Sequence, residues 1–200
     1  MNDNNKLDFQ SKNIMKYNPE KHHRRSIRLK NYDYSQSGAY FITICTYNRE
    51  CIFGDIQDEN VILNQFGQIV SNICNQIPKY FKNLQLDEYI IMPNHLHGII
   101  ITECVNNHVG AIHELPSRNN DRISRRKMLI PKIIGRFKMN SSRQINILRK
   151  SLGAPVWQRN YYEHIIINEQ DLNQIREYII NNQLNWESDD ENPKNWRANP

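Results

Sequence analysis

Apolar residues along this chain recur with two periods. From Ala39 to Tyr47 the run Ala-Tyr-Phe-Ile-Thr-Ile-Cys-Thr-Tyr is β-branched and aromatic, and Ser37-Gly38 leads into it, which predicts a strand. Phe66, Val70, Ile73 and Ile77 then repeat at steps of three and four, with Asn64 placed to cap the helix they imply. Pro78 should end or kink that helix, because its ring nitrogen has no hydrogen to donate. Tyr89–Met92 and Leu96–Thr102 read as two strands broken by Pro93-Asn94, and so tight a join predicts an antiparallel pair. After a polar loop over 106–120, a helix over roughly 131–150 carries Ile133, Ile134, Phe137, Ile145 and Leu148 on its apolar side, until Gly153-Ala154-Pro155 stops it. Tyr161–Ile167 is a further strand. Asn168 caps a last helix, with Glu169 and Asp171 in its first turn, which runs through Ile175 and Ile179 to about Trp186.

The order strand, helix, strand, strand, helix, strand, helix predicts an α+β fold: a ferredoxin-like or RRM-like antiparallel sheet with helices on one face. Residues 1–38, polar and without apolar period, read as a basic N-terminal arm; 39–186 form the domain; 187–200 are an acidic, proline-containing tail. Two hundred residues suit this one-domain reading.

Composition narrows the setting. No stretch of about twenty apolar residues is present, so no membrane-spanning helix is expected. The first residues lack the charged and apolar regions of a secretory signal. Cys45, Cys51, Cys74 and Cys104 are scattered without a C-x-x-C pair, as reduced thiols would be. The expected compartment is the cytoplasm. The formal charge is +5, a modest sign of an anionic partner, but its distribution says more. From Arg118 to Lys150 there are eleven Lys or Arg and one acid, Asp121, and a second basic cluster spans His22 to Lys30. Arg24, Arg25, Arg28, Arg125, Arg126, Lys127, Arg136 and Lys138 are the candidate phosphate contacts of a polyanion such as DNA.

The chemistry is concentrated in Pro93-Asn94-His95-Leu96-His97-Gly98. Residues two apart on a strand share a face, so His95 and His97 present their imidazoles side by side, fit to chelate a divalent ion, while Leu96 faces the core. On the last helix Tyr178 and Asn182 stand four residues apart and therefore on one face. Asn182 can offer a carbonyl oxygen as a third ligand, and Tyr178 is placed to attack what the metal polarises. Tyr161 and Tyr162 compete for the nucleophile's role; they point to opposite faces of their strand, so at most one reaches the metal.

Pro93-Asn94-His95-x-His97 with its apolar strand, Trp157-Gln158-Arg159, and Tyr178-Ile-x-x-Asn182 with Trp186 four residues on resemble the single-tyrosine HUH transposases. The nearest branch is the REP-associated tyrosine transposases, and the similarity runs over roughly residues 17–186. It extends to His22–Leu29, Gly38–Thr46 and Glu163–Ile166. The resemblance implies the HUH endonuclease fold and Mg²⁺ or Mn²⁺ at His95, His97 and Asn182. It also implies Tyr178 as nucleophile, a 5′-phosphotyrosine intermediate, and DNA transposition on single-stranded or hairpin DNA near the nucleoid. Relatives act as a monomer or a homodimer. One departure concerns the ligand set: many relatives have proline after the Asn, where this chain has Gln183, and this leaves Asn181 or Gln183 open as substitute ligands. Basic and aromatic residues (Tyr40, Tyr47, Trp157) would track and stack the strand. Three other readings predict different behaviour: a non-cutting DNA-binding protein of the same fold, a metal hydrolase using water, and an RNA-binding module.

Overall fold

The computed structural model describes residues 37–103, 129–189 and 191–197. Arg24, Arg25, Arg28, Arg125, Arg126 and Lys127 lie outside these residues. Strand β1 is Gly38–Cys45. Its expected continuation to Tyr47 gives way to a 3-10 turn at Tyr47–Arg49, in which Asn48 and Arg49 take left-handed conformations (φ 52° and 54°).

A hairpin follows, β2 (Gly54–Gln57) and β3 (Asn60–Leu63), which the apolar pattern did not announce. Its turn residues Asp58 and Glu59 both have positive φ, the two-residue geometry that asparagine and glycine usually signal. Gly54 opens it at φ 154°, and a Cβ there would meet the Ile62 carbonyl oxygen at 2.2 Å, so only glycine fits.

Helix α1 is Gln65–Tyr80, capped by Asn64 as expected: its side chain accepts from the Phe66 and Gly67 amides at 2.9 and 3.1 Å. Pro78 falls inside the last turn, and the helix ends two residues later. Strand β4 (Leu84–Ile91) starts five residues before the expected Tyr89, with an irregularity between Leu86 and Tyr89. Strand β5 is His95–Thr102, helix α2 Leu129–Leu148, strand β6 Tyr162–Ile166 and helix α3 Glu169–Asn181, the last capped by Asn168 on the Asp171 amide at 2.8 Å.

The four long strands form one antiparallel sheet in the order β4-β5-β1-β6, the ferredoxin-like arrangement. Strand alternation gives it two different faces. Ile42, Ile44, Leu96 and Ile100 point to one side, where α1 and α2 bury them with Val70, Phe137 and others. Helices were expected on one face only. α1 and α2 lie there, but α3 crosses the opposite face, because Ile179 finds a second, smaller apolar cluster of Phe41, Ile99 and Ile166. No helix among the described residues is long and apolar enough to cross a membrane.

Candidate active site

The histidines sit where register and the second face meet. On β5, His97 lies opposite Thr43 of β1, and His95 opposite Cys45. Thr43 is also the partner of Tyr162 on β6, so His97, Thr43 and Tyr162 form a row across three strands. Each imidazole is held by its Nδ1: His97 against Thr43 Oγ1 at 2.8 Å, His95 against Asn94 Oδ1 at 2.9 Å. That leaves both Nε2 atoms on the side where α3 passes. The two rings are 4.5 Å apart, and Phe41 stacks on His97 at 5.3 Å.

Helix α3 brings Tyr178 and Asn182 to the same place. Tyr178 Oη is 3.3 Å from His97 Nε2, and its ring meets Phe41 edge-on at 6.0 Å. Asn182 is 2% exposed and still helical (φ −59°, ψ −38°). Its Oδ1 and the Nε2 of His95, 0% exposed, are buried without a hydrogen-bond partner. Leaving two buried polar atoms unpaired costs about 1–3 kcal/mol each. A divalent cation would accept both lone pairs together with that of His97, so this donor set fits one. Tyr178 itself is 49% exposed, open to a large substrate.

The substitute ligands are placed elsewhere. Asn181 is exposed and its carbonyl takes Asn185 Nδ2 at 3.2 Å; Gln183 Oε1 accepts from the Val61 amide of β3 at 3.2 Å. Gln183 therefore ties the hairpin to the end of the tyrosine helix while allowing Asn182 its helical ψ. Proline would remove the tie and disfavour that ψ, so Gln183→Pro is expected to cost about 1–3 kcal/mol. A thermal melt should then fall by a few degrees, and an unchanged Tm would mean that Gln183 does not hold Asn182.

Burial sets the protonation. The His95 imidazole is pushed down to about 4 by desolvation, against the pull of Asp189 and Asn182 and with Arg49 adding to the push. His97 is lowered well below the usual 6.5 by burial and by His95. Both imidazoles are thus neutral at pH 7. Unfolded histidines titrate near 6.5, so below that value the unfolded chain binds more protons and stability falls as pH falls. Melts of the metal-free chain in EDTA should be level from pH 8 to 7 and drop by several degrees toward pH 5. A Tm level down to pH 5 would contradict neutral burial.

The remaining candidates divide. Tyr162 lies on the site face with its ring 6.2 Å from Phe41, whereas Tyr161 packs against the α1/α2 core. Tyr40 and Trp157 are core residues, not stacking platforms; the Trp157 indole donates to Ser141 Oγ at 2.8 Å beneath α2. Tyr47 is exposed. Arg136 and Lys138 stand on α2, the helix that covers the other face. The Arg136 guanidinium lies 3.8 Å over the Tyr80 ring, and Lys138 Nζ donates to the carbonyls of Gln158 and Asn160 at 2.8 Å each. Sequence reasoning passed over Thr43 and Asn94, one read as strand, the other as a break. It also missed residues 187–195, placed in the tail, where Asp189 and Glu191 instead border His95 and Asn94.

No family model matches the chain. It is 43% identical over 182 residues to an uncharacterised protein of Haemophilus influenzae, covering 87% of this chain and 96% of that one. A second Haemophilus influenzae protein, provisionally named a REP-associated tyrosine transposase, is 26% identical over 157 residues, 77% of this chain and 76% of its own length. Among solved structures, a REP-associated tyrosine transposase bound to a REP hairpin aligns with 80% of this chain and 73% of its own at 17% identity and a TM-score of 0.45. A provisionally named transposase of Deinococcus radiodurans R1 aligns with 78% and 96% at 18% identity and a TM-score of 0.43.

Proposed function

We infer that this chain, which belongs to the same family as the Haemophilus influenzae protein it covers almost whole, is a single-tyrosine HUH transposase that cuts and rejoins single-stranded DNA. The observation that carries this is the phenol of Tyr178, half exposed, 3.3 Å from His97 Nε2 and beside the unpaired His95 Nε2 and Asn182 Oδ1. The weaker relative's name points the same way.

The residues that would hold Mg²⁺ or Mn²⁺ are His95, His97 and Asn182. Bound there, the ion supplies positive charge to a scissile phosphate and lowers the proton affinity of the nearby phenol. Tyr178 Oη attacks phosphorus: the Oη–P bond forms, the P–O3′ bond breaks, the phenol gives up its proton and the departing 3′ oxygen takes one. The product is a 5′-phosphotyrosine and a free 3′-hydroxyl. Because one phosphodiester has replaced another, a second 3′-hydroxyl can reverse the step onto new DNA. Phe41 keeps Tyr178 and His97 in register by touching both rings. Tyr162, a strand's width beyond Thr43, offers a ring for the neighbouring base. The basic arm and the 118–128 stretch supply phosphate contacts. The work is done in the cytoplasm, on hairpin-bearing single strands at the nucleoid.

The test is an adduct assay. The full chain, mixed with labelled hairpin oligonucleotides from its own genomic flanks and with Mn²⁺ or Mg²⁺, should yield a DNA–protein band on a denaturing gel that EDTA abolishes. Binding without any adduct, across both metals, would instead favour a DNA-binding protein that does not cut.

A further inference from the structure

We propose that the C-terminal segment 186–195, through Asn94, fixes which nitrogen of His95 carries its proton, and so presents a bare Nε2 to the metal. This rests on the metal-site reading of His95.

Asn94 is fully buried at the turn between β4 and β5, with its two ends committed. Its Nδ2 donates to the Arg49 carbonyl at 3.1 Å and the Glu191 carbonyl at 2.6 Å. A carbonyl oxygen can only accept, so the amide cannot be flipped: its NH₂ must face those two oxygens, and Oδ1 must face His95. Oδ1 also only accepts, and it lies 2.9 Å from His95 Nδ1. That contact is a hydrogen bond only when Nδ1 carries the hydrogen of the neutral ring, which leaves the lone pair on the buried Nε2 on the side of Asn182, the other group that draws on this ring. The partner of His97 imposes no such choice, since the Thr43 hydroxyl can donate or accept.

The nearer of the two acceptors that orient Asn94 comes from 97 residues away, on a segment that is itself seated. The Glu191 carboxylate pairs with Arg49 Nη1 at 2.6 Å and accepts from Cys45 Sγ at 3.5 Å. The Glu191 amide donates to Asp189 Oδ1 at 2.6 Å, and Asn195 Nδ2 bridges the carbonyls of Glu187 and Asp189 at 2.9 Å each. Trp186 closes the stretch, its ring 6.1 Å from His95. Arg49 contributes twice, by its guanidinium to Glu191 and by its carbonyl to Asn94. Asn94 and Glu191 are thus positioning residues.

Histidine-¹⁵N-labelled full-length protein, free of metal at pH 7.5, reports the tautomer directly in a long-range ¹H–¹⁵N correlation spectrum. The expected result is protonated Nδ1 and bare Nε2 at His95; the reverse would overturn the proposal without any variant. Asn94→Leu should lower Mn²⁺ affinity about 10–100-fold by calorimetry, as loss of a partner behind a ligand does, and release the tautomer. Glu191→Ala should lower it in the same direction, and Glu191→Gln, which can still bond Arg49, should restore most of it. Wild-type affinity in Asn94→Leu or Glu191→Ala would overturn the role of that residue. A chain that binds Mn²⁺ with this tautomer yet forms no DNA adduct sinks the transposase reading and leaves this one standing.

Discussion

Tyr178→Phe should lose the covalent DNA adduct entirely and cut at least about a thousandfold more slowly, while folding and binding Mn²⁺ as before. The substitution removes one oxygen. The ring keeps its edge-on contact with Phe41, and the hydrogen bond given up, to His97 Nε2 at 3.3 Å, is long and half open to water. Such a bond contributes no more than about 1 kcal/mol, so Tm should move by a few degrees at most. Everything else lost is chemistry. No hydroxyl remains at that position to displace the 3′ oxygen, and Tyr162 stands on the far side of Thr43. Single-turnover cleavage on a denaturing gel, beside a thermal melt, separates the two effects. Cleavage at the normal rate in Tyr178→Phe would put water, or Tyr162, in the nucleophile's place.

His97→Ala is the second large effect, and it acts on metal binding far more than on the fold. The metal-bound wild type should gain about 2.7 kcal/mol at a hundred times Kd, several degrees in Tm for a chain of this size. His97→Ala should lose that gain almost completely, because a ligand removed costs more than the 10–100-fold that removing a supporting partner costs. In EDTA the same variant is destabilised by only a few kcal/mol, since the ring's neighbours Phe41 and Thr43 remain. Thermal shift against Mn²⁺ concentration measures both arms. A His97→Ala chain with the wild-type Mn²⁺ shift would remove this residue from the metal site.

Much of this arrangement was legible from spacing, and what escaped did so for identifiable reasons. His95 and His97, and Tyr178 and Asn182, are read by periods of two and four that any strand or helix imposes. The β2–β3 hairpin escaped because Asp58 and Glu59 bend it without a glycine. The first half of β4 escaped because Asp87 and Glu88 stand at its irregularity, where alternation lapses. Which of three neighbouring amides turns inward depends on Val61 catching Gln183, a contact 122 residues apart. Asn94 looked like a chain break because Glu191, which gives it a purpose, is just as remote. The face taken by α3 follows from Ile179 meeting Phe41 and Ile99, a pairing no local pattern specifies.

The sheet's alternation has a consequence for how this gene can change. Along β5 the odd positions His95, His97 and Ile99 serve the tyrosine side, and the even positions Leu96 and Ile100 serve the core. Chemistry and architecture are interleaved in one stretch of sequence, distinguished only by parity. Substitutions can therefore alter either message alone. Deleting one codon between Asn94 and His97 would exchange them, sending an imidazole toward the core and a leucine toward the DNA.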